Sequence, residues 1–265
     1  ITDELDSEIL NAYSASGAMH VLAVSGLHIG ILYAILLAIG KPLQKSKRGR
    51  VVLGIVSILL LWLYACITGL TPSVLRAVAM FSFVALAKLI NRNSNIYNTL
   101  AATAFCLLLY NPYFLVSVGF QLSFIAVLGI VYIHPRLYPV LEFKSLIIQK
   151  IWEITSVSIA AQLATFALGL LYFHQFPNYF LISNLVVIPV SFVVLVGGIM
   201  LLASSIVSPL AQLIGLLLTG TIKLLNLIVF WVESWPMSII SNVYITTTQF
   251  WLITGIIIFL IATVT

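Results

Sequence analysis

His20-Val-Leu-Ala-Val-Ser25-Gly26-Leu-His28-Ile-Gly30 stands inside an apolar run that covers residues 19–40. Such a run matches the roughly 20 apolar residues a helix needs to cross a bilayer, where no water binds an exposed backbone. A plain Leu/Ile helix would insert more favourably, so two histidines, a serine and two glycines here call for a reason. Working outward, further apolar runs follow at 51–70, 73–90, 96–110, 113–133, 151–172, 179–204, 209–232 and 248–264. Of the 265 residues, 62% are apolar and 7% charged, against about 25% charged in soluble domains. So few charges cannot cover a water-facing surface, which excludes an ordinary soluble enzyme, a disordered tail and a solenoid. The sequence predicts an all-α membrane protein, a polytopic helical bundle of about eight to nine membrane segments in a lipid bilayer. The run 179–204 contains Asn184 and Pro189 and is expected to be broken, re-entrant or in-plane, because Pro lacks a backbone donor.

Twelve Lys and Arg against seven Asp and Glu give a net charge of +5. Basic residues beside spans report topology before they report nucleic-acid binding. Lys41, Lys45, Lys47, Arg48 and Arg50 fill the first loop, Lys88 and Arg92 follow the third run, and Arg136, Lys144 and Lys150 separate the fifth and sixth. The turns 69–73, 111–113 and 174–178 contain neither Lys nor Arg. The basic loops are therefore expected in the cytoplasm and the amino end of the segment outside. Residues 1–18 place Ile1, Leu5, Ile9, Ala12 and Tyr13 at helical spacing among Asp3, Glu4, Asp6 and Glu8. They read as an amphipathic interfacial lead-in to a membrane domain over 19–265. The start at Ile1, without Met, basic region or signal-peptide pattern, makes the chain an expected fragment of a longer protein. Cys66 and Cys106 sit in apolar runs and read as small buried hydrophobes. Residues 234–247, with Trp235, Pro236 and Tyr244, read as an interfacial loop with aromatic anchors.

Within the first run, Ser25 and His28 share a helical face, while His20 and Ser25 are about 140° apart on an unbroken helix. Gly26 and Gly30 form a small-xxx-small pair that admits a neighbouring helix, and Gly26 also permits a break. The plainer reading is packing glycines, with Ser and His bonded to a neighbouring helix. Arg76 lies four residues after Pro72, inside a span. A lone guanidinium there is unfavourable unless it snorkels or finds partners. Either it pairs with helix-end carbonyls near the outer interface, or it lines an aqueous path and meets an anion such as phosphate. The fifth run carries Ser117, Gly119, Gln121 and Ser123. The sixth sets Thr155, Ser158, Gln162 and Thr165 on one stripe, which cements helices or lines a channel. P-loop, dinucleotide, His-x-x-x-His, His-Glu-x-x-His and Cys-x-x-Cys patterns are absent from the sequence. No cofactor, metal ligand or catalytic residue is assigned.

These words together resemble the ComEC family of competence proteins. The segment from His20 to His28 resembles its signature, and Gly69-Leu-Thr-Pro-Ser73 leading to Arg76-Ala77 resembles a second block. Asn111-Pro112 with Gly119-Phe-Gln-Leu-Ser-Phe124 resembles a third, and Gln162, Phe173-x-Gln175-x-Pro177, Asn184 and Pro189 resemble the later part. The resemblance implies a multi-pass protein of the bacterial cytoplasmic (inner) membrane that passes single-stranded DNA inward during natural transformation. It also implies partners: the competence machinery, an OB-like domain before this segment and often a metallo-β-lactamase-like domain after it. Any nuclease activity would lie outside this chain. On that reading His20, Ser25, His28, Arg76, Gln121, Ser123 and Gln162 line or gate the DNA path, while Gly26, Gly30, Pro72, Asn184 and Pro189 break or pack helices. Conduction requires a wet, weakly binding path, which Ser, Thr, Gln, Asn, His and few cations fit better than tight capture does. Two rivals remain: a secondary transporter for a small anion using Arg76 and the helix near Pro189, and an intramembrane serine protease using Ser25. The second matches the rhomboid pattern Gly-x-Ser-Gly only in part, since residue 23 is Ala.

Overall fold

The computed structural model describes residues 7–22, 24–89 and 95–264; the lead-in residues Ile1, Asp3, Glu4, Leu5 and Asp6, and the loop cation Arg92, lie outside that range. The described residues form α1 (Ser7–Ala15), α2 (Met19–Leu22), α3 (Gly26–Ile39), α4 (Lys47–Ile67), α5 (Pro72–Leu89) and α6 (Ile96–Tyr110). They continue with α7 (Val118–Leu137), α8 (Leu146–Phe173), α9 (Phe180–Ser204), α10 (Ser208–Glu233) and α11 (Thr247–Val264). Among them α4, α5, α7, α8, α9 and α10 are long and apolar enough to cross a bilayer, and α3, α6 and α11 are shorter apolar helices. The all-α polytopic expectation therefore holds.

Of the two breaks the sequence suggests, at Gly26 and at Pro189, the structure shows the one before Gly26 and not the one in 179–204. Within the run 179–204, Phe180–Ser204 form one helix, α9, with Pro189 inside it. Pro189 cannot donate to the Leu185 carbonyl. Nearby polar side chains hold the segment together, as they do in other Pro-containing spans. The Ser191 hydroxyl donates to the Ile188 carbonyl at 2.7 Å, and buried Asn184 donates through Nδ2 to the Ser158 hydroxyl at 3.2 Å. The run 19–40 is the one that is split, into α2 and α3.

The chain forms two compact units, Val24–Phe124 and a second made of Ile1–Ala23 with Ile125–Thr265. In the first, α3, α4 and α5 close around Ile29, Tyr33, Leu61, Ala65, Val74 and Val78. The α4–α5 turn is a Schellman cap: the Leu70 N–H reaches the Ala65 carbonyl at 3.0 Å and the Gly69 N–H the Cys66 carbonyl at 3.3 Å. That cap needs the left-handed φ of +86° at Gly69. Pro72 then opens α5, where its missing N–H costs nothing.

In the second unit α9 and α10 form a hairpin, and α8 and α11 pack beside it. The lead-in helix α1 is part of this core. Ala12, Tyr13 and Ala18 pack with Val187, Leu225 and Val229, and the Tyr13 hydroxyl donates to Asn226 Oδ1 at 2.8 Å. Another Schellman cap, at Gly17 (φ +76°), ends α1, and a Cβ there would lie 2.7 Å from the Phe180 Cβ. Burial pushes the Tyr13 phenol pKa upward. A two-residue antiparallel ladder pairs Phe176 with Ile240 and Pro177 with Ile239. With the Tyr179 hydroxyl donating to the Pro236 carbonyl at 3.0 Å, it sets the carboxyl ends of α8 and α10 at the same end of this unit.

Gly129 marks the closest approach of α7 to α8, since a Cβ there would collide with Ala164 and lie 2.9 Å from the Ala160 carbonyl oxygen. Gly129→Leu is expected to destabilise the protein by about 1–3 kcal/mol through overpacking, read as a lower Tm in detergent. Gly255→Leu, at a position with nothing within 4 Å, should leave Tm unchanged.

Candidate functional site

At 14 residues, α3 is about 21 Å long, short of the roughly 30 Å hydrocarbon core. Its carboxyl end meets Gly40 and the basic stretch that begins at Lys41, so α3 by itself is too short to span that core. Ser25 precedes it in extended conformation. The Ser25 N–H donates to His28 Nδ1 at 3.2 Å, and the Ser25 hydroxyl lies 3.1 Å from the same nitrogen. The backbone donor makes Nδ1 an acceptor, so the neutral ring carries its proton on Nε2. His28 thus occupies the position Glu or Gln takes in a capping box.

Arg76, in the second turn of α5, lies against this helix start. It is 6% exposed. Its Nη1 donates to the Ser123 carbonyl at 2.8 Å, and the guanidinium carbon lies 5.9 Å from the centroid of the Phe124 ring. Its Nε is buried with no partner among the described residues. A Cβ on Gly26 would sit 3.0 Å from Nη2 and 3.6 Å from the Ala77 Cβ, so glycine lets the guanidinium press against the first residue of α3. Among the described residues the ion pair within contact distance is Lys150–Glu153, at 2.6 Å on α8. Arg76 therefore has a carbonyl and a ring beside it, and no carboxylate in salt-bridge contact among the described residues. A helix amino end adds about half a positive charge. Two positive features in a place of low dielectric attract an anion and give it donors to bind.

The structure brings Ser25, Gly26, His28, Arg76 and Ser123 together within one unit, Ser123 through its main-chain carbonyl. Gln121, one helical turn from Phe124 on α7, donates to the Leu115 carbonyl at 2.8 Å, which ties the turn at 112–116 to the helix start. Gly30 faces the Phe81 ring, 3.3 Å from where its Cβ would be. His20 is exposed on α2 and belongs to the other unit. Gln162 also belongs there, on the wall of a cavity of about 410 Å³ otherwise lined by apolar side chains such as Ile159, Phe166 and Ile256. On its stripe, Thr155 and Thr165 donate to the Ile151 and Ala161 carbonyls of their own helix, each at 2.8 Å, and Ser158 accepts from Asn184. Among the described residues no three of His, Cys, Asp and Glu gather as a metal site.

Sequence reasoning missed the polar pairs that bind distant segments: Tyr13 with Asn226, and Gln175 Nε2 donating to the Ser14 hydroxyl at 2.7 Å. The signal for the first was Asn226 itself, a polar interruption of an apolar run. It missed Phe124 beside Arg76, because one Phe among fifteen has no mark of its own.

A polytopic helical membrane protein with a buried cation at a helix start is the class defined by this fold and site. The competence protein family matches residues 2–265, and the chain belongs to that family. It is 34% identical over 218 residues to ComE operon protein 3 of Bacillus subtilis (strain 168), covering 76% of this chain and 25% of that protein. It is 35% identical over 126 residues to an uncharacterized protein of Aquifex aeolicus (strain VF5), covering 48% of this chain and 29% of that one. The chain thus spans about a quarter of the length of these relatives. No solved structure matches it. The family match extends past residue 190, where recognisable words end, and takes in α10 and α11.

If His28 caps α3, His28→Gln should keep the wild-type Tm, because Gln accepts the same N–H. His28→Ala should lose about 1 kcal/mol. A fluorophosphonate probe should leave Ser25 unlabelled in all three proteins.

Proposed function

We propose that this chain forms the passage by which single-stranded DNA crosses the bacterial inner membrane during natural transformation. Arg76 acts as a weak phosphate station in that passage. The observation that carries this reading is a buried guanidinium at the amino end of α3 which, among the described residues, has an unpartnered Nε and no carboxylate in salt-bridge contact. Family membership and the operon name of the Bacillus relative support it.

A strand carries one phosphate charge per nucleotide, and each charge must leave water to enter a bilayer. A fixed cation plus the amides of α3 offset part of that desolvation. A single cation, already sharing itself with the Ser123 carbonyl, releases the phosphate again, as conduction demands. Contacts of this kind read the backbone and carry no sequence information. In this reading the basic loops face the cytoplasm and the pairing of 176–177 with 239–240 faces outward. No catalytic step is assigned to the chain. An OB-like domain, and any metallo-β-lactamase-like or nuclease domain, would belong to other parts of the polypeptide. The same guanidinium supports a second reading, a carrier for a small anion. The Ser25–His28 contact, by contrast, is accounted for by the helix cap.

Arg76→Ala and His20→Ala should each lower transformation frequency by on the order of a hundredfold or more, with normal membrane insertion on immunoblots. Arg76→Lys should retain part of the activity, since it keeps charge but loses the planar fork. Normal transformation by both alanine variants would refute the site. Proteoliposomes that admit labelled phosphate but no labelled oligonucleotide would establish the anion carrier instead.

A further inference from the structure

The first unit has another polar recess, at the end that carries the basic loop. A cavity of about 80 Å³ lies between α3, α4 and α5, lined by Tyr33, Arg50, Gly54, Ser57 and Lys88. Arg50, Gly54 and Ser57 follow one face of α4 at helical spacing, and Gly54 leaves room for Leu89, whose Cδ2 lies 2.7 Å from where its Cβ would be. The rim is cationic. Arg50 and Lys88 are exposed there, and the Lys88 ammonium stands 5.5 Å from the Tyr33 ring centroid. Inside, Ser57 is 0% exposed and its hydroxyl has no partner among the described residues. An unmade buried hydroxyl is unfavourable, and helical Ser usually bonds its own backbone, so this one is free to donate to something in the recess.

We propose that this recess binds the phosphate group of an anionic phospholipid, with Arg50 and Lys88 on the phosphate and Ser57 donating to an oxygen of the glycerol ester region. Exposed apolar side chains on the same two helices, α4 and α5, favour a lipid as the source: Val51, Ile55 and Leu86 are 38%, 49% and 47% exposed, and acyl chains lie along such faces. The depth order also agrees, because a lipid puts its phosphate outward and its ester oxygens toward the hydrocarbon, as the rim and interior groups are placed. Basic recesses between helices at a membrane surface hold anionic headgroups in this way.

The test is native mass spectrometry of the purified full-length protein in detergent, titrated separately with phosphatidylglycerol, phosphatidylcholine and inorganic phosphate. The expected result is one phosphatidylglycerol adduct held in preference to phosphatidylcholine, and none with phosphate alone. Arg50→Gln and Lys88→Gln should each weaken it about fivefold, while Lys41→Gln, outside the recess, should not. Ser57→Ala should weaken the adduct without lowering Tm, which separates a ligand contact from a packing role. Phosphate binding with the same dependence on Arg50 and Lys88 would overturn the lipid assignment and make soluble phosphate the ligand. Equal adducts with both lipids, or adducts indifferent to Arg50 and Lys88, would overturn the site altogether.

Discussion

A helix that starts within an apolar run leaves amide groups that lipid cannot bond, and the arrangement of the first unit follows from how α3 meets that constraint. Ser25 and His28 close the cap locally. Gly26 removes the side chain that would otherwise hold α5 away, so Arg76 comes to rest against the helix start and spends one donor on the Ser123 carbonyl. Depth is set from the opposite direction. The Gly69 cap and Pro72 fix where α5 begins, and Arg76 follows about 6 Å later. Three separated stretches of sequence, 25–28, 69–76 and 119–124, are thereby tied to one small volume.

The polar groups of the second unit have a different character. Tyr13 with Asn226, Ser14 with Gln175, and Ser158 with Asn184 are pairs of neutral groups that bond each other. Such pairs are the usual cement of helices in lipid, where each contributes about 1 kcal/mol. Arg76 carries a full charge and is incompletely partnered. Asn184 Oδ1 and the Ser183 hydroxyl of the second unit are also buried without a partner among the described residues, so what sets Arg76 apart is its charge.

Much of the fold was legible because hydropathy sums over composition: apart from 19–40, which became α2 and α3, each apolar run became one apolar helix over most of its length. Which run would break was not legible. Proline at 189 seemed the stronger signal, yet it removes a single donor and the helix continues through it. The run 19–40 contains no proline, but Ser25 offers a cap and Gly26 weakens the helix, and the two together end it. Of the apolar stripe expected in residues 1–18, Ala12 and Tyr13 pack against Leu225 and Val229 of α10, whereas periodicity cannot say whether lipid or protein covers such a face. At the site, Ser25, Gly26, His28 and Arg76 stood out as polar or small residues in apolar surroundings. The role of Ser123 was invisible, because its contribution is a main-chain carbonyl.

The most direct measurement is the charge preference of a thiol placed at the helix start. In a background with Cys66 and Cys106 replaced by Ser, Ser25→Cys would be modified by anionic and cationic methanethiosulfonates in intact membranes. A hydrated recess governed by Arg76 predicts modification by the anionic reagent about tenfold faster than by the cationic one, with the preference abolished by Arg76→Gln. No modification by either reagent, or a rate ratio unchanged by Arg76→Gln, would contradict an anion-attracting passage at α3.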